Sequence, residues 1–304
     1  MKKKIFLTLF ILFFTKTFCF QRTLYVDNFN TILGSPTKED KLLNFAKRNN
    51  FKTLILYQLN KVDKLHSLTD PRKNNILAEF ISKAKTKFNI LQVGASGESA
   101  TFFKNRIDIY NTSRNKSEEK FDIYNLEYEY WSKKASGIDG YYCVNYLEEN
   151  NIPCTREGSF NYFVNSLKEL KSLTKNKKHT VKVDAYVGYY SQNEILEISK
   201  NCDRLTIQAN GKNPELCFAF AKNNIEYLYN INSKIKTSII FSTDMDKLGY
   251  WLKFDSLKNG EAKFFNKMNS FNYNLKKKLN FDGFSYRSYT VLEKSVNYYS
   301  YSQN

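Results

Sequence analysis

Asp122-Ile123-Tyr124-Asn125-Leu126-Glu127-Tyr128-Glu129-Tyr130-Trp131 divides by alternation into two series. Asn125, Glu127 and Glu129 form one, and Leu126, Tyr128 and Tyr130 form the other. Side chains two apart on a strand share a face, so the spacing predicts a strand with an aromatic face toward helices and a polar face toward an interior. Two carboxylates about 6–7 Å apart along that face are costly to bury without partners. Close like charges also raise the pKa of one member, which lets a glutamic acid keep its proton at neutral pH. The competing reading is a structural ion-pair set, or a reversed register that leaves the carboxylates in solvent.

Working outward, short runs rich in Val, Ile, Leu, Tyr and Phe recur at 24–29, 53–59, 89–95, 121–131, 180–187, 204–209, 237–243 and 281–289. Most are continuous rather than alternating, as strands covered on both faces should be. Helical patterns lie between them. Thr37-Lys38-Glu39-Asp40 opens one with acidic residues in its first turn, where the helix dipole favours them. Residues 75–88 and 159–173 repeat apolar side chains near every 3.6 positions, and 213–225 and 252–279 supply later helices, the last expected to break near Asn259-Gly260. Eight strand–helix units in about 280 residues predict an α/β fold, a single (β/α)8 TIM barrel over 21–304. Residues 132–158 form a long insertion after the fourth strand, expected to be a disulfide-braced wall beside the cleft.

Lys2, Lys3 and Lys4 precede the apolar run 5–14, the pattern of a signal peptide over 1–20 and of a periplasmic or secreted product. That run is shorter than the roughly 20 residues needed to span a bilayer, so no membrane span is expected once the leader is removed. The context Lys16-Thr17-Phe18-Cys19 lacks the small residues of a lipoprotein site. Cys143, Cys154, Cys202 and Cys217 then permit two disulfides in three connectivities, with Cys143–Cys154 and Cys202–Cys217 the local pairings. Only two histidines and no close cysteine pair argue against zinc, and no metal site is expected. The net charge of +17 is spread over scattered lysines without a nucleic-acid motif, so no nucleic-acid partner is expected. A monomer acting on a glycan or glycoprotein is.

Asp122-x-x-Asn125-x-Glu127-x-Glu129 resembles the DxxDxDxE signature of glycoside hydrolase family 18, the chitinases and endo-β-N-acetylglucosaminidases, carried on the fourth strand of a (β/α)8 barrel. Gln92-Val93-Gly94-Ala95-Ser96 stands where the family often has SxGG. The resemblance implies retaining, substrate-assisted hydrolysis without a cofactor. By it Glu129 is the general acid, Glu127 orients the substrate's 2-acetamido group, and Asn125 replaces an aspartate that tunes its neighbour. Three features differ from the family pattern: glutamate for aspartate at 127, asparagine at 125, and Gln208-Ala209-Asn210 where a tyrosine and an aspartate belong. Gln208 or Asn210 then become the candidates for holding a sugar amide. Asp27, Asp184, Tyr186, Tyr286 and Trp131 complete the expected substrate-binding set, with Tyr286 or Tyr289 in place of a missing tryptophan.

Three functions are compatible with these residues. One is a chitinase-like glycosidase of carbohydrate metabolism with Glu129 as proton donor. Another is a barrel that binds glycan or protein without turnover, and the third is an unrelated barrel hydrolase that uses Glu127 and Glu129 differently.

Overall fold

The computed structural model describes residues 20–303 apart from Asn176 and Asn232. The expected leader, residues 1–20, lies outside the described residues except for Phe20. Eight parallel strands close into a barrel in sequence order: β1 Gln21–Val26, β2 Phe51–Leu56, β3 Gln92–Gly97, β4 Ile123–Leu126, β5 Lys182–Val187, β6 Arg204–Ala209, β7 Lys236–Ser242 and β8 Asn280–Arg287. β1 pairs with β8, which completes the ring. The chain is thus a TIM barrel.

The helix layer forms where apolar periodicity meets a cap. Thr155 accepts a hydrogen bond from Gly158 N at 3.0 Å and starts Arg156–Thr174, whose Phe163, Val164, Leu167 and Leu170 are buried. Ser191 and Glu194 cap each other's backbone to start Gln192–Lys200, a helix whose short apolar stripe gave no sequence signal. The long helix expected over 252–279 is broken at a different place from Asn259-Gly260. Ser256 caps a helix running Leu257–Phe271, and Gly260 lies inside it against the Trp251 ring. No described helix is long and apolar enough to cross a membrane.

β4 is shorter than the expected 121–131. Its last rung is Glu127 N to Gly97 O at 2.8 Å, and with β3 ended the chain turns away. Leu126, Tyr128 and Tyr130 do face the helices. Tyr128 accepts from Ser159 Oγ at 3.1 Å, and Tyr130 packs on Phe160 and Phe163. The insertion carries the Cys143–Cys154 disulfide, as expected. Cys202 and Cys217 stay as buried thiols, contrary to the second pairing. They flank opposite ends of β6, and a strand of that length spans about 17–20 Å, beyond the reach of a disulfide.

Peptide mapping without reduction should recover Cys143 joined to Cys154, while Cys202 and Cys217 react with an alkylating agent only after denaturation. The bridge closes a loop of sequence separation 11. Reduction should lower unfolding stability by roughly 3 kcal/mol, read from denaturant midpoints.

Candidate active site

The polar series of β4 points into the barrel and up to its C-terminal mouth. Asn125 is fully buried and donates from Nδ2 to the Tyr25 hydroxyl at 3.3 Å. Above it Glu127 is 8% exposed and accepts from Ser96 Oγ at 3.3 Å. Arg287, at the end of β8, brings Nη1 within 3.3 Å of Glu127 Oε1 and 3.9 Å of Glu129 Oε1. Its guanidinium lies between the Tyr57 and Tyr186 rings, 5.8 and 5.9 Å from their centroids, and Nη1 also donates to the Tyr186 hydroxyl at 3.3 Å. The Glu127 charge holds Arg287 even more firmly protonated than usual.

Glu129 is placed from outside the barrel. Its backbone N donates to the Tyr142 hydroxyl of the insertion at 3.1 Å. Burial, and then the neighbouring Glu127 charge, raise the Glu129 carboxyl above the ordinary glutamate value, with Arg287 opposing. The strand therefore ends in one carboxylate bound by a fixed cation and a second biased toward keeping its proton. That division suits proton donation beside a charged group.

Two cavities open beside Arg287. One of about 410 Å³ is lined by Tyr186, Gln208, Asn210, Asp244 and Lys247. The other, of about 390 Å³, is lined by Ser96, Glu98, Phe102, Glu127, Tyr141 and Tyr146. Tyr57, Gln58 and Arg287 border both.

No protein-family model matches the sequence, and no curated protein matches it. Solved structures do. The ICChI chitinase from Ipomoea carnea superposes with a TM-score of 0.50 at 12% identity, over 91% of this chain and 98% of that one. A candidate alpha-L-fucosidase from Bacteroides thetaiotaomicron VPI-5482 gives 0.52 at 11% identity, over 92% and 93%. Each shares the closed eight-stranded α/β barrel with this chain. At such identities the likeness is one of fold.

The expected site residues divide into those that reach the mouth and those that do not. Gln208 lines the first cavity and donates to the Tyr186 hydroxyl at 2.9 Å. Asn210 lines it too, with its Oδ1 buried and unbonded. Asp27 borders it, but its carboxylate accepts from the backbone and hydroxyl of Thr290, at the start of the C-terminal helix Tyr289–Ser302. Trp131 packs on Tyr186 and over Gly188, where any side chain would strike the indole.

Asp184 and Tyr286 belong elsewhere. Asp184 lies at the opposite, N-terminal end of the barrel, ion-paired with Arg204, which also reaches Asp282 at 3.3 Å. It comes three residues before the end of β5, too low to reach the mouth. Tyr286 alternates with Arg287, so with Arg287 inward it must point out; it donates to Glu261 at 2.9 Å and packs on Phe51 and Phe241. Tyr289 is likewise buried against Glu293. Asp122, which opens the signature, ties β3 to β4 by accepting from Val93 N at 2.8 Å and pairs with Lys85. Ser96, Tyr57, Glu98, Tyr141 and Tyr146 were not expected as site residues.

A carboxyl whose folded pKa is raised contributes stability below its unfolded pKa and loses it as pH rises through the folded value. Glu129→Gln should therefore be more stable than the parent at neutral pH, with the gain shrinking to nothing as pH falls below the ordinary glutamate range. Melting temperatures of both proteins across pH 3–8 measure this, and a constant offset would contradict the assigned titration.

Proposed function

We propose that the chain is an exported glycoside hydrolase that cleaves β-linked N-acetylglucosamine-containing glycans with retention. Glu127 and Glu129 meeting one guanidinium, that of Arg287, at the C-terminal mouth, with burial raising the Glu129 carboxyl, is the observation that carries this reading. It protonates the glycosidic oxygen as that bond breaks, while the carbonyl oxygen of the substrate's 2-acetamido group attacks the anomeric carbon. Glu127, paired with Arg287, accepts from the acetamido N–H and stabilises the cyclic oxazolinium intermediate. Water then attacks the anomeric carbon, returning its proton to Glu129, and the ring opens with net retention. Gln208 and Asn210 stand in the cavity where the amide of the sugar would be held. The leader pattern of residues 1–20 supports export.

A second reading rests on Arg287. Its guanidinium contacts both carboxylates, and a cation fixed there would suit a barrel that binds a glycan without cleaving it.

Hydrolysis of a fluorogenic N-acetylchitobioside and of a high-mannose glycopeptide separates the two. Glu129→Gln should lower kcat by roughly 10²–10⁴-fold while sugar binding persists. Absence of turnover by the parent, with saturable binding of the same sugars, would leave the binding reading. For an active enzyme, Arg287→Gln removes the charge that opposes protonation of Glu129, so the alkaline limb of the pH–kcat/KM profile should move to higher pH. An unmoved limb would exclude Glu129 as the group that titrates there.

A further inference from the structure

The second cavity contains groups that the proposed chemistry does not use. Glu98, just past β3, accepts from the Tyr141 hydroxyl at 2.8 Å and the Tyr146 hydroxyl at 2.7 Å. Both bonds end on Oε2, which leaves Oε1 to accept from a ligand. The two tyrosines come from the insertion closed by Cys143–Cys154, so the disulfide segment holds this carboxylate in place. The Tyr57 hydroxyl is buried here without a hydrogen-bond partner. Buried polar groups are rarely left unsatisfied, so such a hydroxyl marks a position that a ligand or water fills. Phe102, Tyr57 and Tyr146 add aromatic surface.

That set matches a pyranose ring. Its C–H faces pack against aromatic rings, and its hydroxyl edge donates to a carboxylate in the charge-assisted bonds that are the stronger kind. At about 390 Å³ the cavity lies within the range of small-ligand sites. Glu127 lies in its wall, and it adjoins the first cavity at Tyr57, Gln58 and Arg287.

We infer that the cavity walled by Glu98, Tyr141 and Tyr146 is a second sugar subsite, so that a glycan chain lies across the mouth with residues bound on both sides of Arg287. This rests on the glycan reading above and adds to it the part of the substrate that the insertion recognises. Glu98 is a specificity-determining residue on this account, and the scissile bond lies inside a chain rather than at its end.

The test is calorimetric binding of N,N′-diacetylchitobiose and of chitopentaose to the protein carrying Glu129→Gln, which prevents turnover during the titration. The pentasaccharide should bind at least about tenfold more tightly than the disaccharide. Adding Glu98→Gln should remove most of that advantage while changing disaccharide affinity by less than about twofold. Tyr146→Phe, which deletes one donor to Glu98 and keeps the ring, should act in the same direction more weakly and guards against a misfolded Glu98 variant. Equal affinity for the two sugars, or equal weakening of both by Glu98→Gln, overturns the subsite. Turnover by the parent without any chain-length advantage ends the subsite alone. A chain-length advantage that depends on Glu98, with no turnover by the parent, keeps the subsite and ends the hydrolase reading. No saturable binding of either sugar ends both.

Discussion

The mouth of this barrel depends on one guanidinium. Glu127 is almost fully enclosed, and an isolated carboxylate in such a place would be neutralised or would destabilise the fold. Arg287 meets it from β8, with Ser96 from β3 giving a further hydrogen bond. Tyr57 and Tyr186 hold the guanidinium between their rings, and a planar delocalised cation suits that position better than an ammonium would. Arg287 stays charged at any relevant pH. Burial first, and the Glu127 charge after it, raise the neighbouring Glu129 carboxyl. The arginine approaches Glu127 more closely than Glu129, 3.3 against 3.9 Å.

Below the mouth, polar groups continue down the interior. Asn125 bonds Tyr25, and at the N-terminal end Asp184 and Arg204 form a buried pair extended by Asp282 and Lys236. Apolar side chains inside the ring are few, with Ile55, Ile123 and Ile240 packed among Tyr25 and Tyr186. The larger apolar core lies between strands and helices instead. Polar pairs inside a barrel fix orientation more than they add stability, so here the helix interface carries most of the hydrophobic stabilisation.

Much of this was legible in the sequence because parallel strands covered on both sides must be apolar runs, and the eight runs gave the barrel. The alternation through Leu126, Tyr128 and Tyr130 gave the direction of Glu127 and Glu129. Depth was harder to read. Asp184 and Tyr286 were assigned to the cleft because each lies on the correct strand, but one is several residues too low and the other differs from Arg287 in parity. A shift of one position reverses the face, and a shift of three moves a side chain about 10 Å along the barrel. Tyr57 and Glu98 carry no pattern of their own. Their role comes from strands brought together by closure, as with Arg287 and Glu127, which are far apart in sequence. The Cys143–Cys154 pairing was legible from proximity, and the same argument failed for Cys202 and Cys217 because a strand separates them.

Glu261 has a consequence of another kind. From the helix Leu257–Phe271 it takes two hydrogen bonds from Arg22 on β1 and one from Tyr286 on β8. These are the strands whose pairing turns a curved sheet into a closed ring. The seam is therefore held by a nearly buried carboxylate that joins the first strand to elements encoded more than two hundred residues later. Contacts this distant in sequence form late and slow the folding of the chain that needs them. A polypeptide that stops before β8 would have strands but no ring, and both of its sheet edges would remain open. Closure then waits for β8, and the time before it is when this protein is most exposed to strand-edge aggregation.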